Sequence, residues 1–180
     1  MNTNFDIPAL YQETIESLKK GHRVQHKFTE EQFQQIKDFW ESHSEDKSKT
    51  HQALCLLDFS QSTSHLFSKI IEKSFKEEND EETIIFILNV FRKHEIERSQ
   101  KTGDRINGDL LMSLKELLLR SKGESLEWTL RTIEELGHQS IFFKNEILSK
   151  KPSWFSCYNE HNKTSRQIIE LLERRWKEPL

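Results

Sequence analysis

Eight histidines in 180 residues invite a search for a metal site. His22 with His26, and Cys157 with Glu160 and His161, each set donor atoms about one helical turn apart wherever the chain is locally helical. Neither grouping completes a ligand set. The run His94-Glu95-Ile96-Glu97-Arg98 approaches a zinc-protease signature but carries arginine where the second histidine belongs, and no CxxC pair occurs. Gly21 works against a helix through His22. No metal ligand and no cofactor is therefore expected.

Nucleophilic chemistry has two candidate thiols. Cys55 lies between Leu54 and Leu56, where a cysteine behaves as a small hydrophobe. Cys157 with His161 nearby is the better nucleophile, and a thiol- or metal-dependent enzyme centred on that pair is one reading of the chain. No glycine-rich oxyanion loop accompanies it, and neither GxxxxGK[ST] nor GxGxxG occurs. No catalytic residue is assigned.

Two further groupings are suited to binding. Lys19, Lys20, Arg23 and Lys27 form the one concentrated basic segment, able to contact phosphates, with Arg174, Arg175 and Lys177 as a candidate extension. The same lysines also fit a helix end, where the macrodipole favours cations. Trp154, Phe155 and Tyr158 stand on an irregular segment, with Trp176 near the far end of the chain. Such aromatics either pack over a core or anchor a partner.

The elements that must position these groups are helical. Only 5 glycines and 3 prolines are present, and the Glu, Lys, Gln and Leu content suits helices. Hydrophobic residues make up 34% and charged residues 32%, a lean core that an extended helical array tolerates better than a sphere. A net charge of -3 gives no general attraction to polyanions. No run reaches the about 20 apolar residues that a membrane span needs, and the two cysteines read as reduced thiols. The expectation is a cytoplasmic protein with no membrane contact.

The core element is predicted over residues 80–99. Its acidic lead-in (Asp80, Glu81, Glu82) and basic exit (Arg92, Lys93, His94, Arg98) suit a helix dipole, and Ile84 to Leu88 are apolar on every side. Before it, Asp6 with Pro8 opens a first helix carrying Leu10, Ile15 and Leu18, and Thr29 with Gln32 forms a capping box ahead of Phe33, Ile36, Phe39 and Trp40. Residues 42–50 read as a connection, followed by helices over 50–59 and 62–75. After it come a loop over 99–107, the leucine face of Leu110, Leu111, Leu114, Leu117 and Leu118, and a helix from Leu126 to Leu136 capped by Gly137. Ile141, Phe142, Ile147 and Leu148 continue in a shorter helix that must stop before Pro152. Thr164 is expected to cap a last helix bearing Ile168, Ile169, Leu171 and Leu172.

Helix pairs starting near His51, Thr83 and Leu126 share one pattern, at offsets in the range of HEAT and armadillo units. From Leu126-Glu127-Trp128 through Leu136-Gly137 into 140–148, and more loosely over 49–150, the chain resembles HEAT-type α-solenoid proteins. It lacks their usual first-helix proline and regular Asp/Arg ladder. The resemblance implies a binding scaffold with a concave face lined by second helices; HEAT-like folds also include DNA-binding alkylpurine glycosylases. The expected architecture is one all-α domain over 1–180. Antiparallel helix pairs form either a short HEAT-like solenoid or an irregular bundle of roughly nine helices of ordinary length. Residues 1–45 supply N-terminal helices, 49–150 the possible repeats, and 151–180 the aromatic loop and last helix. A non-enzymatic module or adaptor that binds another protein is the leading functional expectation. A nucleic-acid-associated domain using Lys19, Lys20, Arg23 and Lys27 is the alternative.

Overall fold

The computed structural model describes residues 5–153 and 158–177. It is all-α: no strand occurs among the described residues, apart from an isolated bridge between His26 and Ser60. The helices are α1 (Ile7–Lys19), α2 (Glu30–Ser42), α3 (Lys47–Asp58), α4 (Ser68–Glu77), α5 (Glu81–Phe91), α6 (Arg98–Thr102), α7 (Gly108–Arg120), α8 (Gly123–Glu135), α9 (Lys144–Ser149) and α10 (Glu160–Arg175). A π-helical segment, Arg92–Glu97, joins α5 and α6 into one rod, which gives nine helices among the described residues. Two compact units result, one containing the chain up to Ile71 together with Asn89–Asp104, the other Glu72–Leu88 together with the chain from Arg105 onward.

In the first unit, helix ends follow local chemistry. Asp6 accepts the Ala9 N–H at 3.0 Å, with Pro8 inside the first turn. At the other end of α1, Gly21 takes φ +75°, the His22 N–H reaches the Ser17 carbonyl and the Gly21 N–H the Leu18 carbonyl. That pair of bonds closes a helix by a left-handed residue, which glycine adopts without strain. Thr29 and Gln32 make the expected reciprocal capping box on α2. α3 begins earlier than expected, because Asp46 accepts the Lys49 N–H and starts the helix in a stretch with no apolar residue. Leu10, Ile15 and Leu18 are only half-buried, and α1 buries Ile7 and Thr14 instead. α1 and α2 pack on α3, burying Phe33, Ile36 and Trp40 with Ala53, Leu54, Leu56 and Leu57.

The central rod runs longer than expected, to Thr102, where Gly103 at φ +78° ends it. Ile84, Ile87, Leu88, Val90 and Phe91 are buried, whereas Ile85 and Phe86 are half-buried, so one broad face carries the packing. The π turn is wider than an α turn. It brings three consecutive residues, His94, Glu95 and Ile96, into the interior. His94 meets Phe33 and Phe67 edge-on, with ring centroids 5.6 and 4.9 Å away.

In the second unit, α8 packs against α7, α10 and the 3-10 segment Gly137–Phe143. Gly137 at φ +60° closes α8 as expected. α10 is capped by Asn159, whose side chain accepts the His161 and Asn162 N–H groups, and not by Thr164, which lies inside the helix. Several other helix ends are held by distant charged groups. The Arg120 guanidinium donates to the Phe75 carbonyl (2.6 Å), the Glu78 carbonyl and the Asn79 Oδ1 (2.9 Å), closing α4. The Glu81 carboxylate accepts the Ser125 N–H at 2.8 Å in the first turn of α8. The Lys150 ammonium donates to the Leu119 and Ser121 carbonyls at the end of α7, and Arg175 to the Glu134 carbonyl at the end of α8.

Candidate functional site: an exposed apolar strip

The strip arises from two departures from the helical pattern. On α7 the buried face is Leu110, Leu111, Leu114, Leu117 and Leu118; Met112 and Leu119, seven residues apart, stand on the opposite side, 48% and 51% exposed. Residues 137–143 form a 3-10 segment with about three residues per turn, so Phe143 and Ile147 become the buried pair. Ile141, Phe142 and Leu148 of the same apolar stretch are 57%, 42% and 37% exposed.

Polar contacts fix the register of these elements. Lys115 Nζ pairs with the Glu146 carboxylate at 2.8 Å and lies 4.8 Å from the centre of the Phe142 ring. One turn further along both helices, Lys150 reaches the Leu119 carbonyl. α7 and α9 therefore run side by side in the same direction. Lys115 is thus half-buried between Glu146 and the Phe142 ring. Lys144 is exposed and has no ion-pair partner among the described residues. Asp109 and Glu116 of α7 are exposed and, with Glu72, help to raise the Lys76 pKa; the Glu72 hydrogen bond is the largest cause.

The residues expected to bind a partner fare differently. Trp154, Phe155 and Cys157 lie outside the described residues. Tyr158 is 98% exposed. Trp176 is half-buried and its indole N–H donates to Ser140 Oγ at 3.1 Å, which uses its polar edge inside the second unit. His161 sits on α10 with Nδ1 2.9 Å from the Glu127 carboxylate of α8; that hydrogen bond raises the imidazole pKa above its ordinary value. Cys55 is buried, and burial with Asp58 nearby pushes its thiol up to about 11, where the nucleophilic thiolate is scarce at neutral pH.

Lys19, Lys20, Arg23 and Lys27 are all exposed around the turn that ends α1, and none has an ion-pair partner among the described residues. Beside them, an open cleft of about 390 Å³ is lined by Phe5, Leu10, Glu13, His26 and Phe28, among others. Thr14 donates its hydroxyl proton to the Leu10 carbonyl (2.8 Å), so His26 Nε2–H donates to Thr14 Oγ1 (2.8 Å) and Nδ1 carries the lone pair. Burial lowers the His26 pKa. His22 is exposed.

His94 is fully buried. The Ser64 N–H donates to its Nδ1 at 3.0 Å, which leaves the ring proton on Nε2 to reach the Leu57 carbonyl at 3.2 Å. Glu95 is 1% exposed and accepts from the Ser68 hydroxyl and from Arg98 Nη2 at 3.0 Å. These groups saturate one another, and they stitch the segment after α3 to the central rod. No helix among the described residues is long and apolar enough to cross a membrane. Comparison with known proteins finds no matching family model, no matching curated protein and no matching solved structure.

Proposed function

We propose that this chain is a non-enzymatic helical module that binds another protein, in the manner of a HEAT-like scaffold, with α7, the 3-10 segment and α9 presenting the contact surface. The observation that carries the proposal is the strip of Met112, Leu119, Ile141, Phe142 and Leu148. Five large apolar side chains exposed on α7, the 3-10 segment and α9, elements linked by Lys115 to Glu146 and to the Phe142 ring, favour an interaction surface in a chain that is only 34% hydrophobic. The saturated His94–Glu95 cluster and the buried, protonated Cys55 add support, since neither offers reactive groups to a substrate. Tyr158, fully exposed at the approach to α10, is a candidate peripheral anchor.

A second reading keeps the basic turn. Four exposed cations without carboxylate partners among the described residues, Lys19, Lys20, Arg23 and Lys27, support contact with phosphates of a nucleic acid.

Photo-crosslinking separates the two. A crosslinking phenylalanine analogue placed at Leu119 or at Lys20 is activated in native cell extract at low and at high salt. The protein-binding reading requires a discrete protein adduct from Leu119 that persists at high salt. Adducts only from Lys20, containing nucleic acid and lost at high salt, overturn it in favour of the second reading.

A further inference from the structure

We propose that the open cleft of the first unit, with the basic turn beside it, is a nucleotide site that favours guanine, its base edge against Glu13 and its phosphate toward Lys20 and Lys27. The inference is independent of the protein-contact surface on the second unit. Backbone and ring contacts build the cleft before any ligand arrives. The His26 N–H donates to the Phe59 carbonyl at 2.9 Å and the His26 carbonyl accepts the Gln61 N–H at 2.7 Å, which pins this segment to the end of α3. The His26 and Phe28 ring planes lie 26° apart with centroids separated by 5.6 Å, while Phe28 meets Phe5 edge-on at 5.8 Å and Phe33 at 5.5 Å. A volume of about 390 Å³ falls in the range of small-molecule sites, about 300–1,000 Å³. Aromatic walls suit a planar base, which stacks on a ring through its π-face.

Polar groups select the base and orient it. Glu13 lines the cleft from α1, exposed and with no hydrogen-bond or ion-pair partner among the described residues. An ionised carboxylate only accepts, and its two oxygens take adjacent N–H donors side by side. Guanine presents such a pair on its Watson–Crick edge, at N1 and N2, whereas adenine sets an acceptor beside its amine. His26 adds another acceptor, because its Nε2–H is spent on Thr14 Oγ1 at 2.8 Å and its Nδ1 has no partner among the described residues. The other acid of the lining, Asp6, is engaged by the Ala9 N–H at 3.0 Å. Both carboxylates turn a phosphate away from their side of the cleft. Cations receive it instead. Lys27 lines the cleft itself, and Lys20 follows Glu13 by seven residues, which sets it on the same face of α1 about 10 Å further along the axis. That separation suits the reach of a nucleotide from base edge to phosphate. Neither lysine has an ion-pair partner among the described residues. An organic cation would gain Glu13 but meet both lysines, so a ligand that joins N–H donors to an anion is favoured.

Isothermal titration calorimetry of the full chain with GMP, AMP, guanosine and agmatine, a guanidinium cation, tests the site. GMP should bind about tenfold tighter than AMP or guanosine, or better. Glu13→Gln should remove the preference for GMP over AMP, and Lys20→Ala/Lys27→Ala should lower GMP to the level of guanosine, each with an unchanged circular dichroism spectrum. A single strand of roughly ten dT with one central dG separates two sources of the same chemistry. A strand that outbinds GMP identifies the ligand as single-stranded nucleic acid, and GMP outbinding the strand identifies a free nucleotide; both results uphold the site. No saturable binding of GMP, equal affinity for GMP and AMP that Glu13→Gln leaves unchanged, or tighter binding of agmatine overturns it. Strands that bind through Lys20 without regard to guanine also overturn it while leaving the second reading of function standing, and crosslinking from Leu119 decides the protein-binding reading separately.

Discussion

Acidification should weaken this fold at His94. In the folded chain its ring is enclosed by Phe33 and Phe67, and its Nδ1 lone pair is engaged by the Ser64 N–H. Protonation would put a charge in the interior and replace that acceptor with a second donor. Burial is the main cause that depresses the pKa from 6.5 to about 4. The unfolded chain takes up the proton at about 6.5, so between these values it binds more protons than the native chain. Stability is thus fully present above pH 6.5 and falls as the pH drops toward 4. A gap of about two and a half pH units, at about 1.4 kcal/mol each, amounts to roughly 3 kcal/mol. Urea unfolding of the wild-type chain and of His94→Gln at pH 7, 6, 5 and 4 measures it, because carboxylate titrations common to both cancel in the difference. The wild-type chain should lose about 3 kcal/mol more than the variant over that range, and NMR should find the His94 ring neutral at pH 5. Parallel losses in the two proteins, or a ring that titrates near 6.5, would refute the burial argument.

Other outcomes follow from equally local features. Arg120→Met removes the donors that close α4 and should cost about 2–4 kcal/mol in urea unfolding, with Arg120→Lys recovering only part because an ammonium lacks the planar fork. Ile87→Ala should cost about 2–5 kcal/mol, against a change within about 0.5 kcal/mol for Met112→Ser on the exposed side of α7. Cys55 should resist a thiol reagent at pH 8 until denaturant is added; prompt labelling of Cys55 in the native protein would contradict its burial. The His161–Glu127 hydrogen bond stabilises the protonated ring, so its contribution is present below pH 6.5 and fades as the pH rises through the elevated folded value. In Glu127→Gln the His161 titration followed by NMR should move back toward 6.5.

Where the sequence holds a local signal, fold and sequence agree. Asp6, Thr29 with Gln32, and Gly137 each cap a helix through contacts a few residues long, and the Phe33, Ile36 and Trp40 stripe is buried as its spacing demands. Where the backbone changes its period, they part. The π turn at 92–97 and the 3-10 segment at 137–143 carry no distinctive residues, and each rotates the following side chains relative to an α-helical count. That rotation buries His94 to Ile96 and exposes Ile141, Phe142 and Leu148. Two of the five residues of the candidate surface were nonetheless readable. Met112 and Leu119 lie seven residues apart and opposite the leucine face of α7, a spacing with no core role. The exposed cations of the α1 turn were also legible, because Gly21 announces the end of that helix.

The remote closure of helix ends in the second unit bears on how the chain folds. The groups that close α4, α7 and α8 come from 29 to 45 residues away in sequence, as Arg120 to Phe75, Lys150 to Ser121, Glu81 to Ser125 and Arg175 to Glu134 illustrate. Such contacts form only after the intervening chain has closed its loops, so these helices gain little by forming early and gain together late. During synthesis, α8 emerges without the arginine that satisfies its last turn. The second unit should therefore acquire its protection against hydrogen exchange in one cooperative step, after α10 has left the ribosome.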